Sequence, residues 1–117
     1  MSQAIWLIGR GALGQTKFTH MILFSYKTVK DFSEKYPDST DALNTWYTIL
    51  EKADLSNFNE LRTIFNSADG VGNDLYVFNI KGNHYRLVAR IHFNVRTIYI
   101  KFVGTHKEYD KLDISKL

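Results

Sequence analysis

The 117-residue chain has no cysteine and only one proline. Without cysteine there is no disulfide scaffold, no thiol nucleophile and no Cys-based zinc site. A long apolar run is missing too. Ala4-Ile5-Trp6-Leu7-Ile8 falls far short of the ~20 residues a membrane span needs. The same segment lacks the charged start and extended apolar stretch of a secretory signal. One proline and seven glycines leave most of the chain for regular structure. What is present is apolar mass: 44% hydrophobic residues, with eight Phe, seven Tyr and two Trp. That suffices for the core of one domain without a metal or disulfide staple, and the length is too short for two.

The net charge of +3 conceals an asymmetry. Residues 31–74 carry nine acids against three bases, Lys35, Lys52 and Arg62. Residues 79–109 carry six bases (Lys81, Arg86, Arg90, Arg96, Lys101, Lys107) against one acid, Glu108. Such segregation marks a polyanion-binding face or, more blandly, a solvated basic edge.

Residues 1–20 read as an N-terminal extension, added to the natural chain or arising from a misassigned start, with Met21 as the start of the domain proper. Gly9-Arg10-Gly11-Ala12-Leu13-Gly14 matches the dinucleotide fingerprint by letter only, because no strand–turn–helix unit surrounds it. From Met21 the expected order is a strand at 21–26, a helix over 27–36 ended by Pro37, and a second helix capped by Asp38 or Ser39 and running to Ala53. One or two helical turns follow at 59–65, then a loop over 69–74. Three strands come next: 75–80, 84–93 after a turn at Lys81-Gly82-Asn83, and 96–103, broken by Gly104. Thr105 caps a short final helix. The fold class is α+β, an antiparallel-dominated twisted sheet with the two N-terminal helices packed on one face and a short C-terminal helix.

Strand alternation sorts the side chains. In 84–93 the odd positions Tyr85, Leu87, Ala89, Ile91 and Phe93 are all apolar and must face the core. The even positions put His84, Arg86, Arg90 and His92 on the other face. Tyr76, Phe78 and Ile80 are core-facing in 75–80, which leaves Asn79 outside. Ile98, Ile100 and Phe102 are core-facing in 96–103, which leaves Thr97, Tyr99 and Lys101 outside. A single sheet face would then show Asn79, Arg86, Arg90, His92, Tyr99 and Lys101, with no acid among them. Cations neutralise phosphates and aromatic rings stack on unpaired bases, so the pattern suits single-stranded RNA.

Two segments carry a family likeness: Phe78-Asn79-Ile80-Lys81-Gly82-Asn83-His84-Tyr85-Arg86-Leu87-Val88, and Ile100-Lys101-Phe102-Val103-Gly104-Thr105-His106-Lys107-Glu108-Tyr109-Asp110. Together they resemble the HigB branch of the RelE-like ribonuclease toxins. The helices around Lys27–Pro37 and Trp46-Tyr47 resemble that branch as well, so the likeness covers 21–117 and leaves out 1–20. It implies a RelE-like fold and a cytoplasmic toxin of a type II toxin–antitoxin system. It implies mRNA cleavage in the ribosomal A site and neutralisation by a HigA-like helix-turn-helix antitoxin, through which alone operator DNA is bound.

RelE-like cleavage needs no metal or other cofactor. The RNA 2′-OH attacks the adjacent phosphate, so the enzyme must orient that hydroxyl, stabilise phosphorane charge and assist proton transfer. Arg86 is the first candidate for phosphate stabilisation, since its planar fork matches phosphate oxygens. Its structural alternative is an ion pair with Asp74 or Glu108. His106 is the candidate general acid or base, histidine being the side chain that changes charge near neutrality. The alternative is a cap histidine bonded to Thr105 or Asp110. Tyr109, one helical turn on, stacks a base, assists proton transfer or belongs to the core. Lys101 is a candidate phosphate contact. Asn79, Lys81, Asn83, Arg90, His92, Tyr99 and Lys107 are candidate RNA contacts, with Asn83 also suited to the turn through its tolerance of positive φ. No acid pair supports a two-metal site and no nucleophile elbow supports a serine triad. The competing readings are a non-catalytic RNA- or ribosome-binding module and a catalytically dead antitoxin-bound homologue.

Overall fold

The computed structural model describes residues 20–117. The expectation of an N-terminal extension and the Gly9–Gly14 motif therefore lie outside the described residues. From the chain start the elements are β1 (Ile22–Phe24), α1 (Tyr26–Lys35), α2 (Thr40–Lys52), α3 (Phe58–Ile64), β2 (Asp69–Gly72), β3 (Leu75–Ile80), β4 (Tyr85–His92), β5 (Thr97–Thr105) and α4 (His106–Asp110). The sheet order is β1-β5-β4-β3-β2, so the basic strand β4 is central.

Apolar spacing explains the helices. Leu43, Trp46 and Leu50 fall on one stripe of α2 and are buried, as are Val29 and Phe32 on α1. They meet Phe78, Ile80, Tyr85, Leu87, Ala89, Ile91, Ile98 and Ile100 from the sheet in one core cluster. Pro37 opens a 3-10 turn (Pro37–Ser39) between α1 and α2, where its fixed φ and missing N–H do no harm.

Several expectations are corrected. The stretch 69–74 is not only a loop: Asp69–Gly72 pairs with β3 as an exposed edge strand. The turn residues there hid it, and only pairing with β3 makes it a strand. The sheet is antiparallel-dominated as expected, with β1 adding to β5 in parallel. Neither Asp38 nor Ser39 caps α2 with its side chain. Ser39 Oγ donates instead to the carbonyl of Tyr36 at 2.7 Å, and Asp38 faces the hairpin. Gly104 does not break β5, which runs on to Thr105. The positive-φ residues of the β3–β4 turn are Lys81 and Gly82, and Asn83 is not among them.

The parity of β5 is also corrected. Ala89 pairs with Ile100 but Val88 with Phe102, so Lys101 is the extra residue of a β-bulge. Beyond it the alternation inverts. Val103 packs on the main core while Phe102 joins a second cluster with Leu75, Val77 and Val88. That cluster lies on the sheet face away from α1, α2 and α3 and is covered by Tyr109 of α4 with Leu112, Ile114 and Leu117. The C-terminal segment thus crosses the outer face and divides it at Val88.

Asp38 latches the β3–β4 hairpin to the helical layer. Its carboxylate accepts from the Tyr85 hydroxyl at 2.5 Å and pairs with Lys81 Nζ at 2.9 Å. The Tyr85 bond, then the Lys81 bond, hold the Asp38 carboxyl below its ordinary range. The same bond to Asp38, with burial second, pushes the Tyr85 phenol up to about 12. The signs follow from linkage. The carboxylate contributes stability above the ordinary Asp pKa of about 3.9, and that stability is lost as pH falls through the lowered folded value. The phenol contributes below its ordinary value of about 10, and that contribution is lost as pH rises through about 12. Melting temperature against pH should therefore fall more steeply in acid for the wild type than for Asp38→Asn. Superimposable acid limbs would remove the latch.

Candidate active site

Register places the site. Asn79 pairs with Arg86 across β3–β4, and Arg86 pairs with Gly104 across β4–β5. These three share the outer face at the hairpin end. Tyr85 pairs with Thr105 alongside, and α4 begins at His106, so the last helix opens two residues beyond the partner of Arg86.

The Arg86 guanidinium is half-buried and uncommitted. It reaches only the carbonyls of Asn83 and Tyr85, both at 3.4 Å, the weak end of hydrogen bonding. It forms no ion pair among the described residues. Asp74 lies instead 3.7 Å from His92 Nδ1, and Glu108 is occupied in a capping box. The guanidinium is therefore available for an external anion.

Thr105 and Glu108 fix α4. Thr105 Oγ1 accepts from the Glu108 amide at 3.1 Å, and Glu108 Oε1 accepts from the Thr105 amide at 2.8 Å. One turn apart, His106 Nδ1 lies 3.2 Å from Asp110 Oδ2. With the carboxylate accepting, Nδ1 carries the hydrogen and Nε2 presents its lone pair outward, so Asp110 sets the tautomer and the ring direction. Nε2 has no partner among the described residues. The bond to Asp110, read from sequence as an alternative to catalysis, is one a general base can use.

Tyr109 is half-buried against Leu75, Val77 and Val88, its ring 6.5 Å from that of Phe102, and its hydroxyl has no partner among the described residues. Its ring is packed while its hydroxyl remains available. Lys101, at the bulge, and Lys107 are exposed and free of ion pairs among the described residues. Asn79 and Asn83 are exposed near Arg86. Lys81 is elsewhere, tied to Asp38 on the helical side. Arg90, His92 and Tyr99 sit on the outer face but beyond the covered Val88. Arg90 Nε donates to the Asn73 carbonyl at 3.3 Å. The single continuous cationic face expected from alternation is thus two areas.

Sequence reasoning puts Phe102 on the core face, whereas the bulge reverses its parity and its ring lies over Gly104 on the outer face. It also left Asp110 as a mere alternative partner, although the i, i+4 spacing to His106 was visible. Among the described residues no group of three or more His, Asp or Glu side chains could hold a metal ion, and no helix is long and apolar enough to cross a membrane.

The fold and site define a small α+β domain with an uncommitted arginine on the outer sheet face and, on the adjoining helix α4, an imidazole held by a carboxylate, a set of groups suited to an anionic ligand. The HigB_toxin family model, described as the RelE-like toxic component of a toxin–antitoxin system, matches residues 39–112, and the chain belongs to that family. Its relatives include "mRNA interferase HigB" of Escherichia coli O6:H1 strain CFT073, 33% identical over 79% of this chain and 91% of the relative. Another is "mRNA interferase toxin HigB" of Escherichia coli K12, 37% identical over 77% and 88%. A chain of the archaeal RelE-RelB complex from Pyrococcus horikoshii OT3 overlays with TM-score 0.48 and 16% identity, covering 75% of this chain and 96% of that one. As the toxic component of a toxin–antitoxin system, the protein has an antitoxin for partner.

Proposed function

We propose that residues 21–117 form a metal-independent endoribonuclease, an mRNA interferase that cuts mRNA in the ribosomal A site and so works in the cytoplasm. The observation that carries this reading is the uncommitted guanidinium of Arg86, whose cross-strand partner Gly104 lies two residues before the His106 of the His106–Asp110 pair. His106 Nε2 takes the proton of the 2′-OH as that oxygen attacks the adjacent phosphorus. Arg86, aided by Lys101, stabilises the added negative charge on the phosphorane oxygens. The 5′-oxygen then leaves and acquires a proton, from the Tyr109 hydroxyl or water, giving a cyclic phosphate and a free 5′-hydroxyl. Asp110 steadies the imidazolium formed on the way. Asn79, Asn83 and Lys107 border this point and contact RNA there. The antitoxin is of the helix-turn-helix, HigA-like kind, and operator DNA is reached only through it.

Primer extension on translated and free mRNA tests this. New 5′ ends should appear on translated message. In His106→Ala their rate should fall by roughly 10²–10⁴-fold, the usual worth of a positioned acid or base. Asp110→Asn should retain an intermediate rate. Absence of new 5′ ends with wild-type protein would favour a non-catalytic ribosome-binding module.

A further inference from the structure

The outer face beyond Val88 carries an aromatic group that the site described above does not use. Phe24 on β1 is the in-register partner of Tyr99 on β5. Their rings stack at 5.2 Å between centroids with 15° between planes, yet both remain exposed, at 47% and 39%. His92 meets Tyr99 edge-on at 6.0 Å. Arg90 is the cross-strand partner of Tyr99. Asp74, 3.7 Å from His92 Nδ1, is the acid that faces this group.

An offset aromatic pair left in water is unfinished, because another flat ring can continue the stack. A nucleobase does so whatever its sequence, and adjacent cations neutralise the phosphate that comes with it. Arg86 and Arg90 are four residues apart, roughly 13 Å along the strand. Val88 between them is fully buried beneath the C-terminal segment. RNA reaching both areas must pass over that segment.

We propose that Phe24 and Tyr99, flanked by Arg90 and His92, form a second subsite that stacks an unpaired base of the RNA strand away from the cleavage point. This rests on the endoribonuclease reading and adds to it a residue, Phe24, on the first strand. The subsite binds and positions; it takes no part in bond breaking.

The test uses the full chain and 2′-O-methyl RNA oligonucleotides, which lack the attacking hydroxyl and stay intact. Phe24→Ala and Tyr99→Ala should each weaken binding by roughly 5- to 100-fold, while Tyr99→Phe and Phe24→Tyr stay near wild type. A single abasic nucleotide scanned along the oligonucleotide should weaken wild type at one position and leave Phe24→Ala unaffected there. Wild-type affinity in both alanine variants overturns the proposal. So does loss of antitoxin binding with RNA binding intact, which would make the patch, with exposed Ile22 beside it, a protein-docking face. Primer extension with Arg86→Ala separates the two readings. Undiminished cleavage there refutes the catalytic assignment of Arg86, while weakened oligonucleotide binding by Phe24→Ala still upholds the subsite.

Discussion

Arg86→Ala should lower mRNA cleavage by roughly 10²–10³-fold, the cost of removing one preorganised donor from a developing oxyanion, and should abolish growth inhibition. The fold should survive. Arg86 makes only two long bonds to carbonyls near its own position and no ion pair among the described residues. Removing its head therefore leaves no buried charge unpaired. Arg86→Lys should recover part of the rate, since an ammonium supplies the charge but not the two-pronged geometry. The comparison is read by primer extension at equal protein, with circular dichroism to confirm folding. A fully active, folded Arg86→Ala would remove the arginine from the mechanism.

Gly104→Ala should be the most damaging of the small substitutions. Gly104 is not among the positive-φ glycines, so alanine meets no backbone strain there. The obstacle is space. An added Cβ collides with the Phe102 ring, at Cζ and at 2.9 Å from Cε2, and sits 3.1 Å from Glu108 Oε1. The ring is packed against Val88 and the C-terminal segment, and the carboxylate is half of the capping box that starts α4. Overpacking of this kind costs about 1–3 kcal/mol, or roughly 5–20 °C of melting temperature for a domain of this size. Displacing α4 should also move His106, so cleavage should fall below what the loss of folded protein explains. Phe102→Leu in the Gly104→Ala background should restore part of the melting temperature. An unchanged melting temperature in the single variant would mean that the ring swings aside at no cost.

Which candidate site residues come together was only partly legible. The apolar odd positions of β4 forced Arg86, Arg90 and His92 to the opposite face, and that holds. The Thr105 cap was visible, and the capping box confirms it. The ion pair of Lys81 with Asp38 joins residues 43 apart, and no local spacing reveals it. Phe24 escaped notice because β1 reaches Tyr99 only through a parallel pairing at the far edge of the sheet.

By itself, the order of residues determined the helices, the central basic strand and the family, since apolar periodicity and contiguous motifs are local properties of the chain. The bulge at Lys101, the edge strand β2, the latch at Asp38 and the division of the outer face at Val88 were decided only by the tertiary structure. Each depends on which distant backbone pairs with which, and on where a terminal segment finds apolar surface to cover. A period of two carries no information about either.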